Sequence, residues 1–397
     1  MFDTVIHNAK LYPMSESAER SDKTQIGIKN GIIQQLGNED LENRFTGKEV
    51  IDANGACLLP GFIDCHTHIV YASDRSEEHS LRLQGVSYAE VHAQGGGIQS
   101  SVKAVRQASI EDLVQESVPR IKNLLKEGVT SLEIKSGYGL DLDNEFKMLR
   151  AIKQCQESLP VEIVSTFLGA HTIPKNSNKS DYLQSIINDM LPVVAEEKLA
   201  NFVDIYVEHI AFDNDDMQKL FTAAEQYDFK TRAHTEQLSN MQASKTAAEL
   251  GAKSVDHLEY LDQESIKAMA KHSTTAVLLP NAFYFLNEKQ LPPIDLMREH
   301  NINMAIATDC NPGTAPIPSL LTALHFAVHL FGLTPSEALL GVTINAARAL
   351  DIDSRKGSIE VGKAADLCLW NLDSPEFLCY QLGGVNPESI FINGKRI

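Results

Sequence analysis

Leu59-Pro60-Gly61-Phe62-Ile63-Asp64-Cys65-His66-Thr67-His68 passes from a turn through an apolar run to a pair of histidines. Pro60-Gly61 punctuates the chain, and the aliphatic and aromatic residues behind it predict a strand over residues 62–69. Side chains alternate along a strand, so His66 and His68 point to one side. Two imidazoles aimed at one point are what a metal ion requires, although His-x-His alone is a common chance pairing. The stretch decides the fold through its counterparts. Residues 129–135, 162–168, 202–208, 229–233, 252–257, 274–279 and 303–308 are further short apolar runs, which makes eight. Helical patterns separate them: 110–126 stops before Gly128, 238–250 stops at Gly251, and Thr334-Pro335-Ser336-Glu337 opens the last helix with a cap and a first-turn proline. Eight strands alternating with helices predict an α/β fold, a (β/α)8 TIM barrel over residues 59–351. Continuous apolar strands are what a parallel sheet covered on both faces demands.

Each run ends in polar residues, and barrel enzymes build their sites from such strand ends. The first ends in His66 and His68, the second in Lys135-Ser136-Gly137-Tyr138, and the third leads to His171. The fourth ends at Glu208-His209, the fifth at His234-Thr235-Glu236-Gln237, the sixth at His257-Leu258-Glu259 and the eighth at Asp309-Cys310-Asn311. One histidine at a strand end is ordinarily a satisfied polar residue; several on one rim point to a site. His234 and Asp309 add a nitrogen and a carboxylate to the first pair. Such a set suits one catalytic Zn²⁺ or Fe²⁺, with no basis in the sequence for choosing between them.

Outside the barrel the grammar changes. Gln25–Lys29 and Ile32–Leu36 flank Asn30-Gly31, and a second Asn-Gly, Asn393-Gly394, follows Ile390-Phe391-Ile392. Asn-Gly suits a type I′ hairpin turn, whose central residues both need positive φ. A two-stranded end is marginal alone, so residues 1–58 and 352–397 are expected to form one β-domain with the barrel inserted between them.

Composition excludes rather than identifies. A net charge of −18 disfavours nucleic acid and anionic membrane as partners. No run approaches the roughly 18 apolar residues of a membrane span, and residues 1–14 lack a signal-peptide pattern, so a cytoplasmic location is expected. The six scattered cysteines form no Cys-x-x-Cys pair and read as packing residues. His325 and His329, four apart on a helix, read as packing or surface residues for lack of a third ligand, and His79, His92, His209, His272 and His300 as structural. Gly95-Gly96-Gly97 lacks the Lys-Ser/Thr of a phosphate loop and is expected to be a mobile loop at the barrel mouth.

The segment from Pro60 to His68 resembles the first metal motif of the amidohydrolase superfamily, and the likeness extends over essentially the whole chain. It implies ligands His66, His68, His234 and Asp309, a catalytic histidine at His257, a small β-sandwich made from both termini, and a homodimer. Further segments narrow it: HTHIVYASDR from His66, LRLQGVSYAEV, Glu133 to Leu140, Phe167 to His171, His257 to Tyr260 and Ala307 to Thr314. Together they resemble the branch that opens 4-imidazolone-5-propanoate to N-formimino-L-glutamate. That resemblance implies substrate or product contacts at Arg75, Tyr138, His171, Gln237, Asn311, Gly313 and Thr314, with Asp309 as proton acceptor. Family members carry Glu or Gln where this chain has Gln237; a carboxamide cannot shuttle protons, and Glu236 would point the other way, so neither is assigned as base. The alternatives are a mononuclear deaminase, which carries Glu where Gln237 stands, a binuclear cyclic amidase bridged by a modified Lys135, and a non-catalytic barrel that has lost its ligands.

Overall fold

The protein is described here from a computed structural model, over residues 1–15, 20–38, 44–85, 96–175 and 177–397. Five strands open the chain: β1 (Phe2–Leu11), β2 (Ser21–Lys29), β3 (Ile32–Asn38), β4 (Gly47–Asp52) and β5 (Cys57–Pro60). After Gly61 come the barrel strands: β6 (Phe62–Asp64), β7 (Val129–Lys135), β8 (Glu162–Ala170), β9 (Phe202–Val207), β10 (Lys230–Thr235), β11 (Ser254–His257), β12 (Thr275–Leu278) and β13 (Met304–Ile306). Three strands close the chain: β14 (Leu367–Trp370), β15 (Ser389–Ile392) and β16 (Lys395–Arg396).

The first and last groups form one sheet in the order β16-β15-β14-β5-β1-β2-β3, with β4 on β1. β5 is the seam, parallel to β1 and antiparallel to β14, so neither end of the chain completes the sheet alone. This small β-sandwich has its own apolar core, with Ile6, Ile26, Ile28, Leu58, Leu367 and Phe391 among its residues. Both Asn-Gly turns have positive φ at each position, 52° and 77° at Asn30-Gly31 and 49° and 70° at Asn393-Gly394, as a type I′ hairpin requires. The two turns pack on each other: a Cβ at Gly31 would press on the Asn393 carbonyl, and Gly394 N–H and Gly31 O both bond to Ala365.

The middle strands run parallel in the order β13 to β6, an (β/α)8 barrel. Helices start where the sequence supplies caps. Ser109 with Asp112, and Thr334 with Glu337, form capping boxes on helices Ile110–Lys126 and Pro335–Gly341. Two expectations were too long. The first strand ends at Asp64 rather than residue 69; beyond it Thr67 O still accepts from Lys135 N–H of β7 (2.9 Å), while the same residues also reach the far edge of the sheet. There Thr67 bridges Cys310, Asp309 N–H donates to His66 O (3.0 Å) and His68 N–H to Cys310 O (3.0 Å). The helix expected at 238–250 spans only Ala243–Glu249, because Leu238 and Ser239 before it turn their N–H groups to the Glu208 carboxylate and Glu236 receives the helix's first two N–H groups. Among the described residues no helix is long and apolar enough to cross a membrane. All six cysteines are buried and unpaired.

Barrel and β-sandwich are joined at the barrel's base. Phe62 stacks on Trp370 with centroids 5.5 Å apart, and both are fully buried. The buried Lys356 ammonium reaches Glu162 (2.9 Å) and Ser131 (3.2 Å) on the barrel and Asp366 on the sandwich. Trp370→Ala is expected to lower unfolding stability by about 3–5 kcal/mol, as large aromatic truncations in cores do. Urea denaturation followed by circular dichroism checks it.

Candidate active site

At the C-terminal ends of the strands, the Nε2 atoms of His66, His68 and His234 and the Oδ1 of Asp309 converge. His68 Nε2 lies 3.3 Å from His66 Nε2 and 3.4 Å from His234 Nε2. Asp309 Oδ1 lies 3.5 Å from the Nε2 of both His66 and His68. Ligands at about 2.1 Å from a tetrahedral ion stand about 3.4 Å apart, so this spacing fits one metal ion. The chemistry of the set demands a cation. His66 Nδ1 faces Asp256 (2.9 Å) and His234 Nδ1 faces Asp204 (3.1 Å). A carboxylate only accepts, so each Nδ1 donates its N–H to it and each Nε2 is left as the ring atom that faces the centre. Burial, with Lys135 next in effect, holds His66 neutral, and burial with His171 does so for His68. Burial pushes the Asp309 carboxyl well above its usual range, so a neighbouring cation is what would keep it ionised.

Beneath the ligands lies a layer of fully buried charges. Lys135 Nζ donates to Glu133 (2.7 Å) and Asp204 (2.8 Å), and Arg232 Nη2 donates to Asp256 (2.9 Å). Burial alone would raise the Asp204 carboxyl, but His234 and Lys135 beside it hold it well below the usual range. Lys135 is thus spent on the carboxylates that orient the ligand histidines. A bridging carbamate on it would have to break both ion pairs.

The other rim residues surround this centre. His171 stacks on His68 with centroids 5.1 Å apart, and its Nδ1 lies 3.0 Å from Gly137 O. Burial, then His234, lowers its pKa to about 3, so it is a neutral imidazole whose Nε2 accepts. Tyr138 lies 5.4 Å from His171 and 5.9 Å from His68 between ring centroids, with its phenol kept protonated by burial. The loop that carries it is fixed by the buried Glu145, which accepts from Gly137 (3.0 Å), Gly139 (2.8 Å) and Leu140 (2.8 Å) N–H. His257 and Leu258 have φ of 83° and 78°, strained for residues with side chains, at a strand end. The His257 ring stands 5.5 Å from His234 and 6.0 Å from His66.

Some side chains are turned to local work. Glu236 faces away from the ligands and accepts from Ala243 (2.7 Å) and Ser244 (2.9 Å) N–H at the start of a helix. Gln237 Oε1 accepts from Tyr206 Oη at 2.9 Å. Asn311 folds the loop after Asp309: its Oδ1 accepts from Gly313 (2.8 Å) and Thr314 (2.7 Å) N–H, and its Nδ2 donates to Thr314 Oγ1 (2.8 Å). Arg75 pairs with Glu78 and lies against Gly313, where a Cβ would overlap its Nη1. The His325 and His329 rings lie tilted with centroids 4.2 Å apart, with His325 Nδ1 at Cys379 O (3.0 Å). His209 is 58% exposed beside Glu208. His92 and Gly95 lie outside the described residues.

Residue-type reasoning missed Glu133, Asp204, Arg232, Asp256, Glu145 and Glu259. A signal existed for the first four: each is a charge inside a strand of the sheet that the helices bury. Glu133 and Arg232 each stand two before a rim residue, Lys135 and His234.

Comparison with known proteins agrees with this geometry. Residues 57–397 match the model of the Amidohydrolase family. Proteins named imidazolonepropionase are 47% identical in Colwellia psychrerythraea, covering 100% of this chain and 97% of that one, and 49% identical in Pseudomonas aeruginosa, covering 88% and 87%. The chain belongs to the amidohydrolase family and, within it, to the imidazolonepropionases. The fold also matches a Klebsiella pneumoniae 5-methylcytosine deaminase liganded with 5-fluorocytosine (TM-score 0.77, 17% identity, 99% and 97% coverage). A Xanthomonas campestris adenosine deaminase with bound zinc matches similarly (TM-score 0.73, 18% identity, 100% and 92% coverage). At those identities the likeness is one of fold.

Two outcomes follow for this amidohydrolase. Asp256→Asn keeps the ligands but removes the carboxylate behind His66, and is expected to weaken metal binding about 10–100-fold in a competition titration. Glu259, on the loop after β11, is buried, and burial raises its carboxyl from 4.5 to about 8. The folded state therefore holds a proton that the unfolded state releases, and this contribution to stability is lost as pH rises through about 8. Glu259→Gln is expected to flatten the decline in urea midpoint between pH 5 and pH 8.

Proposed function

We propose that this chain hydrolyses the ring amide of 4-imidazolone-5-propanoate to N-formimino-L-glutamate. The observation that carries this reading is the convergence of three imidazole Nε2 atoms and the Asp309 carboxylate, in a chain belonging to the imidazolonepropionases. His66, His68, His234 and Asp309 would hold one divalent ion, zinc or iron. When bound, it supplies Lewis-acid activation of water and of the ring carbonyl at neutral pH.

The chain's own residues supply the rest. Asp309 takes a proton from the attacking water on a carboxylate oxygen and returns it to the ring nitrogen as the C–N bond breaks. His257, kept neutral by burial, donates a ring N–H to the carbonyl oxygen as that oxygen gains charge. His171 accepts an N–H of the imidazolone at Nε2, and the protonated Tyr138 hydroxyl donates to the substrate. Arg75 takes the propanoate carboxylate. Asn311 keeps Gly313 and Thr314 in place, and Gly313 gives Arg75 room.

Local chemistry weighs against the neighbouring activities. A deaminase needs a proton shuttle where this chain has the carboxamide of Gln237, held by Tyr206. A binuclear amidase needs a lysine free for carboxylation, and Lys135 is paired with Glu133, Asp204 and, at 3.9 Å, Asp256. We place the enzyme in the cytoplasm as a homodimer, in keeping with its family resemblance. The test is turnover of imidazolonepropanoate, followed by loss of its ultraviolet absorbance. His234→Ala is expected to lose bound metal and turnover together; a metal-free variant with full turnover would sink the scheme.

A further inference from the structure

We infer that Glu78 is a positioning and specificity residue for this reaction: it grips the Arg75 guanidinium so that one defined edge is left for the carboxylate arm of the substrate. The inference rests on the reading of Arg75 as the substrate's carboxylate clamp.

Arg75 and Glu78 stand three residues apart at the start of helix Ser76–Leu83. Such pairs are usually solvated and worth little, as the exposure of Arg298–Asp295 (39% and 91%) and Lys267–Glu264 (50% and 62%) illustrates. Arg75 and Glu78 differ, with side chains only 13% and 11% exposed. Glu78 Oε2 accepts from Arg75 Nε at 3.1 Å, and Oε1 pairs with Nη2, so the carboxylate covers one complete edge of the guanidinium. Glu78 is itself fixed from a second element: its Oε2 also accepts the Gly97 N–H at 2.8 Å, and Gly97 caps helix Ile98–Gln107. The carboxylate therefore cannot swing freely with its arginine.

On the opposite side, Nη1 lies against Gly313 in the loop that follows Asp309. Asn311 Oδ1 fixes that loop through the Gly313 and Thr314 N–H groups. The guanidinium is thus held between the helix after β6 and the loop after β13, the same two strands that supply His66, His68 and Asp309. A guanidinium has two edges able to take a carboxylate bidentately. Glu78 occupies the Nε–Nη2 edge, which leaves the Nη1–Nη2 end. A fixed cationic end on the rim that carries His66, His68 and Asp309 would select ring amides that carry a short anionic arm. Because Glu78 has already immobilised the arginine, the substrate does not bear the entropic cost of ordering it.

The experiment uses the metal-loaded full-length enzyme. Glu78→Ala is expected to raise KM for imidazolonepropanoate about threefold to tenfold, the cost of ordering one flexible side chain on binding. It should leave kcat within about twofold and bound metal per chain unchanged. Glu78→Gln, which keeps the shape and one acceptor, falls between. An analogue with a carboxamide in place of the carboxylate should bind wild type and Glu78→Ala alike. In an Arg75→Ala background, Glu78→Ala should add nothing, since it acts only through Arg75. An unchanged or lowered KM, an equal loss in kcat, or a KM effect that persists without Arg75 would each overturn the inference. Arg75→Ala with unaltered KM, while wild type turns over, overturns the clamp and Glu78's role with it. No turnover by wild type overturns the activity and, with it, both.

Discussion

A carboxylate stays ionised inside a barrel only when a cation stands beside it, and this constraint governs the centre of the molecule. Glu133, Asp204, Asp256 and Asp309 are buried among the strands, and Lys135 and Arg232 are the buried cations that meet them. These carboxylates outnumber the two cations. A cation among His66, His68, His234 and Asp309 would offset that excess. The same excess explains why Lys135 serves as counter-ion rather than ligand, since removing its charge would strand Glu133 and Asp204.

The site and the fold are joined at one place. β6 and β13 are the ends of the barrel sheet, and they meet at the rim through Thr67–Cys310, the Asp309-to-His66 hydrogen bond and the Asp64 carboxylate on Thr308. Closure of the barrel thus brings His66 and His68, just past one strand, to Asp309, just past the other. The first strand stays short because its last residues are needed at this seam. The strained backbone at His257 and Leu258 belongs to the same economy: packing around the barrel rim sustains a conformation that a free chain would abandon.

Much of this was legible beforehand, and the reasons are local. All eight barrel strands are visible as apolar runs because both faces of a parallel sheet are buried. Asn30-Gly31 and Asn393-Gly394 announce their hairpins because few other dipeptides accept positive φ twice. His66 and His68 are legible as a pair because extended backbone repeats every two residues; the strand itself stops at Asp64, and Thr67 between them is held by Lys135 and Cys310. Partners were not legible. Nothing adjacent to Glu236 says that its carboxylate caps Ala243 and Ser244, and nothing near Arg75 says which of its edges Glu78 takes.

The sequence by itself determined the periodicities, the turns, and which residue types arrive at each strand end, because these depend on neighbours along the chain. Only the tertiary structure decided which nitrogen of each histidine faces the centre, which charges cancel, and which polar side chains are spent on their own loops. Those outcomes depend on groups brought together from distant strands: Asp256 behind His66, Asp204 behind His234, and Gly313 beneath Arg75. Hydrogen bonds and ion pairs act through space at about 3 Å, and no spacing along the chain encodes that distance.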